Sequence, residues 1–103
     1  MIVCGVEALR PEQGVAALLP DGSQVAVFLT ADGAVHALDN IDPFSGAAVL
    51  SRGIVGDRGG VPVVVSPVYK QAFSLATGKC LDSPSVSVAV HGVRVRDGVV
   101  ELT

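Results

Sequence analysis

Few side chains in this sequence of 103 residues could carry chemistry. The thiols are Cys4 and Cys80 and the imidazoles are His36 and His91. The two cysteines stand most of the chain apart and form no C-x-x-C pair, the spacing that zinc or dithiol chemistry uses. Each reads as a small buried hydrophobe. The sequence leaves a bridge between them open, but it is disfavoured in a reducing compartment. Neither histidine has a second imidazole or thiol at metal-ligand spacing, so both read as ordinary strand positions. Asp42, Ser66 and Tyr69 offer oxygen atoms, but three scattered oxygens make a poor cage for a hard cation. Ser66 as a nucleophile would need a histidine base brought to it in space, because none lies near it in sequence.

Composition narrows the classes further. The net charge of -3 supplies no attraction to phosphate backbones. The few aromatic residues, Phe28, Phe44, Phe73 and Tyr69, are not interleaved with basic ones as a base-stacking surface requires. Nucleic acid is therefore not expected as a partner. Dense apolar stretches such as residues 61–65, which contain Pro62, are only a few residues long, far short of the roughly 20 residues of a membrane-spanning helix. The first residues lack the basic-then-apolar order of a signal peptide, with Glu7, Arg10 and Glu12 interrupting early. These features point to a cytoplasmic chain with no membrane contact.

The elements that position these residues are short strands. Half of the residues are apolar, mostly Val, Ala and Leu, which suits a core of small and β-branched side chains. A chain of this length supports one core, hence one domain over residues 1–103. Turn signals recur at Pro20-Asp21-Gly22, Ala31-Asp32-Gly33, Asp57-Arg58-Gly59-Gly60, Thr77-Gly78 and Asp97-Gly98. Between the first of them, residues 14–19, 24–29 and 34–38 read as a three-strand meander. Val86, Val88 and Val90, then Val93 and Val95, recur every second residue, the period of half-buried strands, with Arg94 and Arg96 facing water. Residues 99–102 close a terminal hairpin. The one helix-like fragment, residues 6–13, is interrupted by Pro11. The expected fold is all-β. Residues 39–60 mix proline, glycine and charge without alternation and read as a long loop, with residues 66–71 as a second candidate functional loop.

Three pieces of the chain, in order, carry a family resemblance. They are Ala37-Leu38-Asp39-Asn40-Ile41-Asp42-Pro43-Phe44-Ser45-Gly46, then Ser66-Pro67-Val68-Tyr69-Lys70, then Phe73-Ser74-Leu75-Ala76-Thr77-Gly78-Lys79-Cys80-Leu81. They resemble the ALDN-x-C-P-H-x-G, C-P-x-H-G and F-x-L-x-T-G-x-x-L patterns of Rieske ferredoxins, and imply an antiparallel β sandwich of the Rieske type. Such proteins hold a [2Fe-2S] cluster with two thiolates on one iron and two imidazoles on the other. The resemblance puts Asp42, Phe44, Ser66 and Tyr69 at those four positions. None is a cysteine or histidine, so no cofactor, metal or catalytic group is expected in this chain. Phe44 and Tyr69 would fill the vacated volume with carbon, while Lys70 stands where the family carries glycine.

The longer run from Asp39 to Asp57, with Ser66-Pro67-Val68-Tyr69-Lys70-Gln71, is similar to the small subunit of assimilatory NAD(P)H-dependent nitrite reductases. That likeness implies a supporting, non-catalytic role in reducing nitrite to ammonia. It also implies docking on a large subunit that carries FAD, a [4Fe-4S] cluster and siroheme. Ser51, Arg52, Ile54, Val55, Asp57 and Arg58 combine aliphatic groups with fixed charge in the manner of an interface, and Lys70 and Gln71 extend that candidate surface. The competing readings are a solvated loop with local ion pairs, a stand-alone Rieske-type electron carrier, and an interaction module that shares only the fold.

Overall fold

The computed structural model describes residues 1–103 and contains ten strands with two short 3-10 turns, Val6–Ala8 and Leu50–Arg52. The expected meander is present as β2 (Gly14–Leu18), β3 (Gln24–Leu29) and β4 (Val35–Asp39), paired antiparallel in sequence order. Local turn chemistry closes it. Asp21 accepts hydrogen bonds from the Ser23 backbone N–H at 2.9 Å and from its hydroxyl at 2.6 Å, which folds the first turn. The terminal hairpin of β9 (Val93–Arg96) and β10 (Val99–Leu102) turns at Asp97 and Gly98, both at positive φ, the geometry that matches the twist of a two-residue hairpin. Arg94 and Arg96 face water as expected, and Arg94 donates across the hairpin to Glu101 at 2.9 Å.

The meander, extended by the two-residue β8 (Val90–His91), forms a central sheet whose faces alternate in destination. Ala26, Phe28 and Leu38 point to one side and pack with Leu50, Val64, Phe73, Leu75 and Cys80. Val25, Val27 and Ala37 point to the other and pack with Leu9 and Val100. A strand with both faces covered reads as a continuous apolar run, which is why Val25-Ala26-Val27-Phe28 lacks alternation. One cover is the sheet β1 (Ile2–Gly5), β10 and β9; the other is β5 (Ile54–Arg58), β6 (Val61–Val65) and β7 (Ala72–Ser74).

Two expectations are corrected here. Residues 39–60 are not one loop, because residues 54–58 form β5, which pairs with β6 across Gly59 and Gly60, both at positive φ. The strand is hidden in the sequence because Val55 is the one of its five residues that is buried. Residues 86–90 do not form a full strand either. Lys79 and Ser87 make an isolated bridge, Val88 enters the core, and regular pairing begins at Val90. The pairing of β1 with β10 had no local signal, since it joins the two ends of the chain.

Candidate functional site

Two loops meet at one end of the molecule. The first, residues 40–46, leaves β4; the second, residues 66–70, leaves β6. Each is shaped by the side chain at its base. Asp42 Oδ1 accepts the Phe44 N–H at 2.8 Å, and its backbone closes with Gly46 N–H to Asp42 O at 2.7 Å and Asp42 N–H to Ala47 O at 2.9 Å. Ser66 Oγ accepts the Val68 N–H at 3.3 Å, while Ser66 N–H donates to Gln71 O at 3.0 Å and Lys70 N–H to Ser66 O at 3.1 Å. Aspartate and serine are the residue types that bond their own backbone two positions on, so both loops hold a tight turn without a metal. The two side chains then join: the Ser66 hydroxyl donates to Asp42 Oδ2 at 2.5 Å, with both residues fully buried.

Behind this clasp lies Asn40, buried and bonded on every side. It donates to Gln24 Oε1 at 3.0 Å, accepts the Ser51 N–H at 2.7 Å, and through its backbone binds Gln24 O at 3.0 Å and Leu50 N–H at 3.1 Å. It fastens the first loop to β3 and to the 3-10 turn. Sequence reasoning did not single Asn40 out; the signal available was its place in the Ala-Leu-Asp-Asn piece. Beside it, Asp39 Oδ1 and His91 Nε2 lie 2.6 Å apart, which ties β8 to the end of β4.

The expected rings divide. Phe44 is half-buried and packs on the core, its ring centroid 6.1 Å from that of Phe73. Tyr69 does not fill the interior. It is 60% exposed, because Ser66 turns inward and the three residues after it form the outer rim of the loop.

The run from Ser51 to Arg58 also divides. Val55 is 7% exposed and belongs to the core, so it cannot serve as a contact residue. Arg58 donates to Asp82 at 2.7 Å; Asp82 in turn accepts the Ala72 N–H at 2.9 Å. That backbone bond, together with the guanidinium, holds the Asp82 carboxyl below the ordinary carboxylate range. Asp57 accepts the Gly60 N–H at 3.1 Å within the hairpin turn, and Ser51 is tied to Asn40. Arg52 and Ile54 are left facing water, Ile54 at 74% exposure. Lys70 is exposed on the second loop, and Gln71 is half-buried, its Oε1 3.9 Å from Cys80 Sγ.

The model of the Rieske-like [2Fe-2S] domain family matches residues 1–103. The small subunit of nitrite reductase (NADH) from Escherichia coli K12 is 44% identical over 101 residues, covering 97% of this chain and 93% of that one. The chain belongs to the Rieske-like family of nitrite reductase small subunits. A crystal structure assigned as an NADH-dependent nitrite reductase small subunit from Mycobacterium tuberculosis superimposes on this family member with a TM-score of 0.95. It shares 56% identity, and the match covers 99% of this chain and 91% of that one. A third relative, the large subunit of nitrite reductase [NAD(P)H] from Klebsiella oxytoca, contains a stretch that matches this chain. There, 98 residues are 42% identical, covering 95% of this chain and 10% of the much longer relative.

The family's [2Fe-2S] group does not fit the side chains of this member. At the four positions the resemblance assigns to ligands, Asp42 and Ser66 are bonded to each other, Phe44 has no donor atom and lies against Phe73, and Tyr69 points to solvent. The chain's thiols are elsewhere and apart: Cys80 lies in the core between the central sheet and the β5 sheet, and Cys4 against the core on the opposite face. No three His, Cys, Asp or Glu side chains converge as a metal-holding group. No helix is long and apolar enough to cross a membrane.

Proposed function

We infer that this chain is the non-catalytic small subunit of an NAD(P)H-dependent nitrite reductase and acts by docking on the large subunit. The observation that carries this reading is the Klebsiella oxytoca relative, in which the same domain forms part of a chain named as the large subunit. A domain tethered to a partner meets it at a high effective concentration, and a separate chain reaches the same end through a preserved contact surface. The side chains support the reading, because the ligand positions that would make the domain an electron carrier are occupied by a hydrogen bond, an apolar ring and an exposed phenol.

The family resemblance implies that the large chain supplies the chemistry through FAD, a [4Fe-4S] cluster and siroheme; the cytoplasmic setting is read from the charge and apolar pattern of this chain. In that arrangement this chain contributes binding energy and position. The direct test is co-expression with the large subunit, followed by affinity purification and assay of nitrite reduction. Co-purification, with reduced activity when the chain is deleted, is expected. Failure to co-purify, together with unchanged nitrite reduction after deletion, would refute the reading.

A further inference from the structure

The clasp between Asp42 and Ser66 has an outward consequence. Turning these two side chains inward turns their neighbours outward, so the joined loops present Ile41, Pro43, Pro67, Val68 and Tyr69 to solvent. Ile41 is 44% and Val68 43% exposed, and Tyr69 is the chain's single tyrosine. The bond between Asp42 and Ser66 brings the two loops that carry these groups together, and an exposed tyrosine with aliphatic groups beside it in its loop has the make-up of an interface centre.

Charge selects the kind of partner. In residues 40–46 and 66–70 the charged side chains are Asp42, which is buried, and Lys70, which is exposed. In a protein with a net charge of -3, the exposed charge within these two loops is thus the single ammonium of Lys70, the nearest carboxylate in sequence, Asp39, being paired with His91. Lys70 is also held in an uncommon backbone state, with φ at 62°, where glycine is the unstrained residue. Its ammonium donates to Pro67 O at 2.7 Å, which keeps the charge against the tip instead of trailing into solvent. A lysine kept where it strains the backbone is accounted for if its side chain is used.

We propose that the large subunit is bound through this tip, with Tyr69, Val68 and Ile41 entering an apolar recess and Lys70 meeting carboxylate at its edge. The inference rests on the docking role proposed above and gives it a surface, distinct from the β5 edge with Arg52 and Ile54.

Titration of the purified large subunit with the full chain tests it. Tyr69→Ala is expected to weaken binding by roughly thirtyfold or more, as truncation of a central interface tyrosine does. Lys70→Glu is expected to weaken it by at least about tenfold. Lys70→Gly should raise the melting temperature of the isolated chain while weakening the complex, a split that a purely structural lysine would not produce. Ile54→Ser and Val95→Ser, on the β5 edge and on β9, should bind as the wild type does. Wild-type affinity for both Tyr69→Ala and Lys70→Glu, with circular dichroism unchanged, overturns the assignment of this face. The same holds if the tip substitutions abolish only self-association of this chain. If the wild-type chain itself fails to bind, the docking role falls together with the surface.

Discussion

Replacing Ser66 by alanine removes the side-chain bond that joins the two loops, and its size follows from the geometry. The hydroxyl donates at 2.5 Å to a carboxylate oxygen of Asp42, and neither residue is reached by solvent. A hydrogen bond to a charged group contributes about 1.5–3 kcal/mol, and the substitution leaves a buried oxygen without a donor, so a loss of about 2–3 kcal/mol is expected. For a chain of this length that corresponds to a fall in melting temperature of about 10 °C. Asp42→Asn is the informative partner, because its amide can still accept the Phe44 N–H and donate to Ser66 Oγ, and it should cost less than about 1 kcal/mol. Circular dichroism during thermal and urea unfolding at neutral pH measures both. In the double variant Asp42→Asn/Ser66→Ala the two losses should not add, since both substitutions act on one bond. A Ser66→Ala chain that melts within about 2 °C of the wild type would refute the view that this bond holds the loops together.

Three other outcomes are expected. The Asp82 carboxyl is depressed by the Ala72 N–H and by Arg58, so its contribution is present above the ordinary aspartate pKa and is lost as pH falls through the lower folded value. Asp82→Asn should therefore flatten the acid side of the plot of melting temperature against pH, and an unchanged profile would speak against that contribution. Gly78→Ala places a methyl group into the Val88 carbonyl oxygen at a φ of +76° and should cost more than about 2 kcal/mol. Gly22→Ala, at a φ of +90° but in open space, should cost only about 1–2 kcal/mol, as equilibrium unfolding would show. After incubation with iron and sulfide the chain should retain no stoichiometric iron or acid-labile sulfide; the visible absorption of a [2Fe-2S] centre would overturn the mismatch described above.

The meander and the terminal hairpin were legible because their signals are local: a turn residue and its strands lie within a dozen positions of one another. β5 was missed for a physical reason. Only Val55 among its five residues is buried, and Gly56, Asp57 and Arg58 follow from its edge position and from the hairpin turn beside it. β1 was missed because its partner, β10, is at the other end of the chain. The candidate contact run failed at Val55 for the same reason in reverse, since an aliphatic residue between charges looks exposed until the sheet it faces is known.

The amino-acid sequence alone sets what chemistry is absent at the two loops, because donor atoms belong to residue types: phenylalanine offers none at position 44, and aspartate and serine at positions 42 and 66 are not thiolates. It also determined the short strands and their turns, which depend on neighbouring residues. Where those side chains go was settled by the packing of the sheets and loops. Asp42 and Ser66 turn inward and bond, Phe44 packs on Phe73, and Tyr69 turns outward beside Lys70. Burial and hydrogen-bond partnership across these loops are set by residues more than twenty positions apart, brought together by the packing of three sheets, and no local pattern of residue types encodes that.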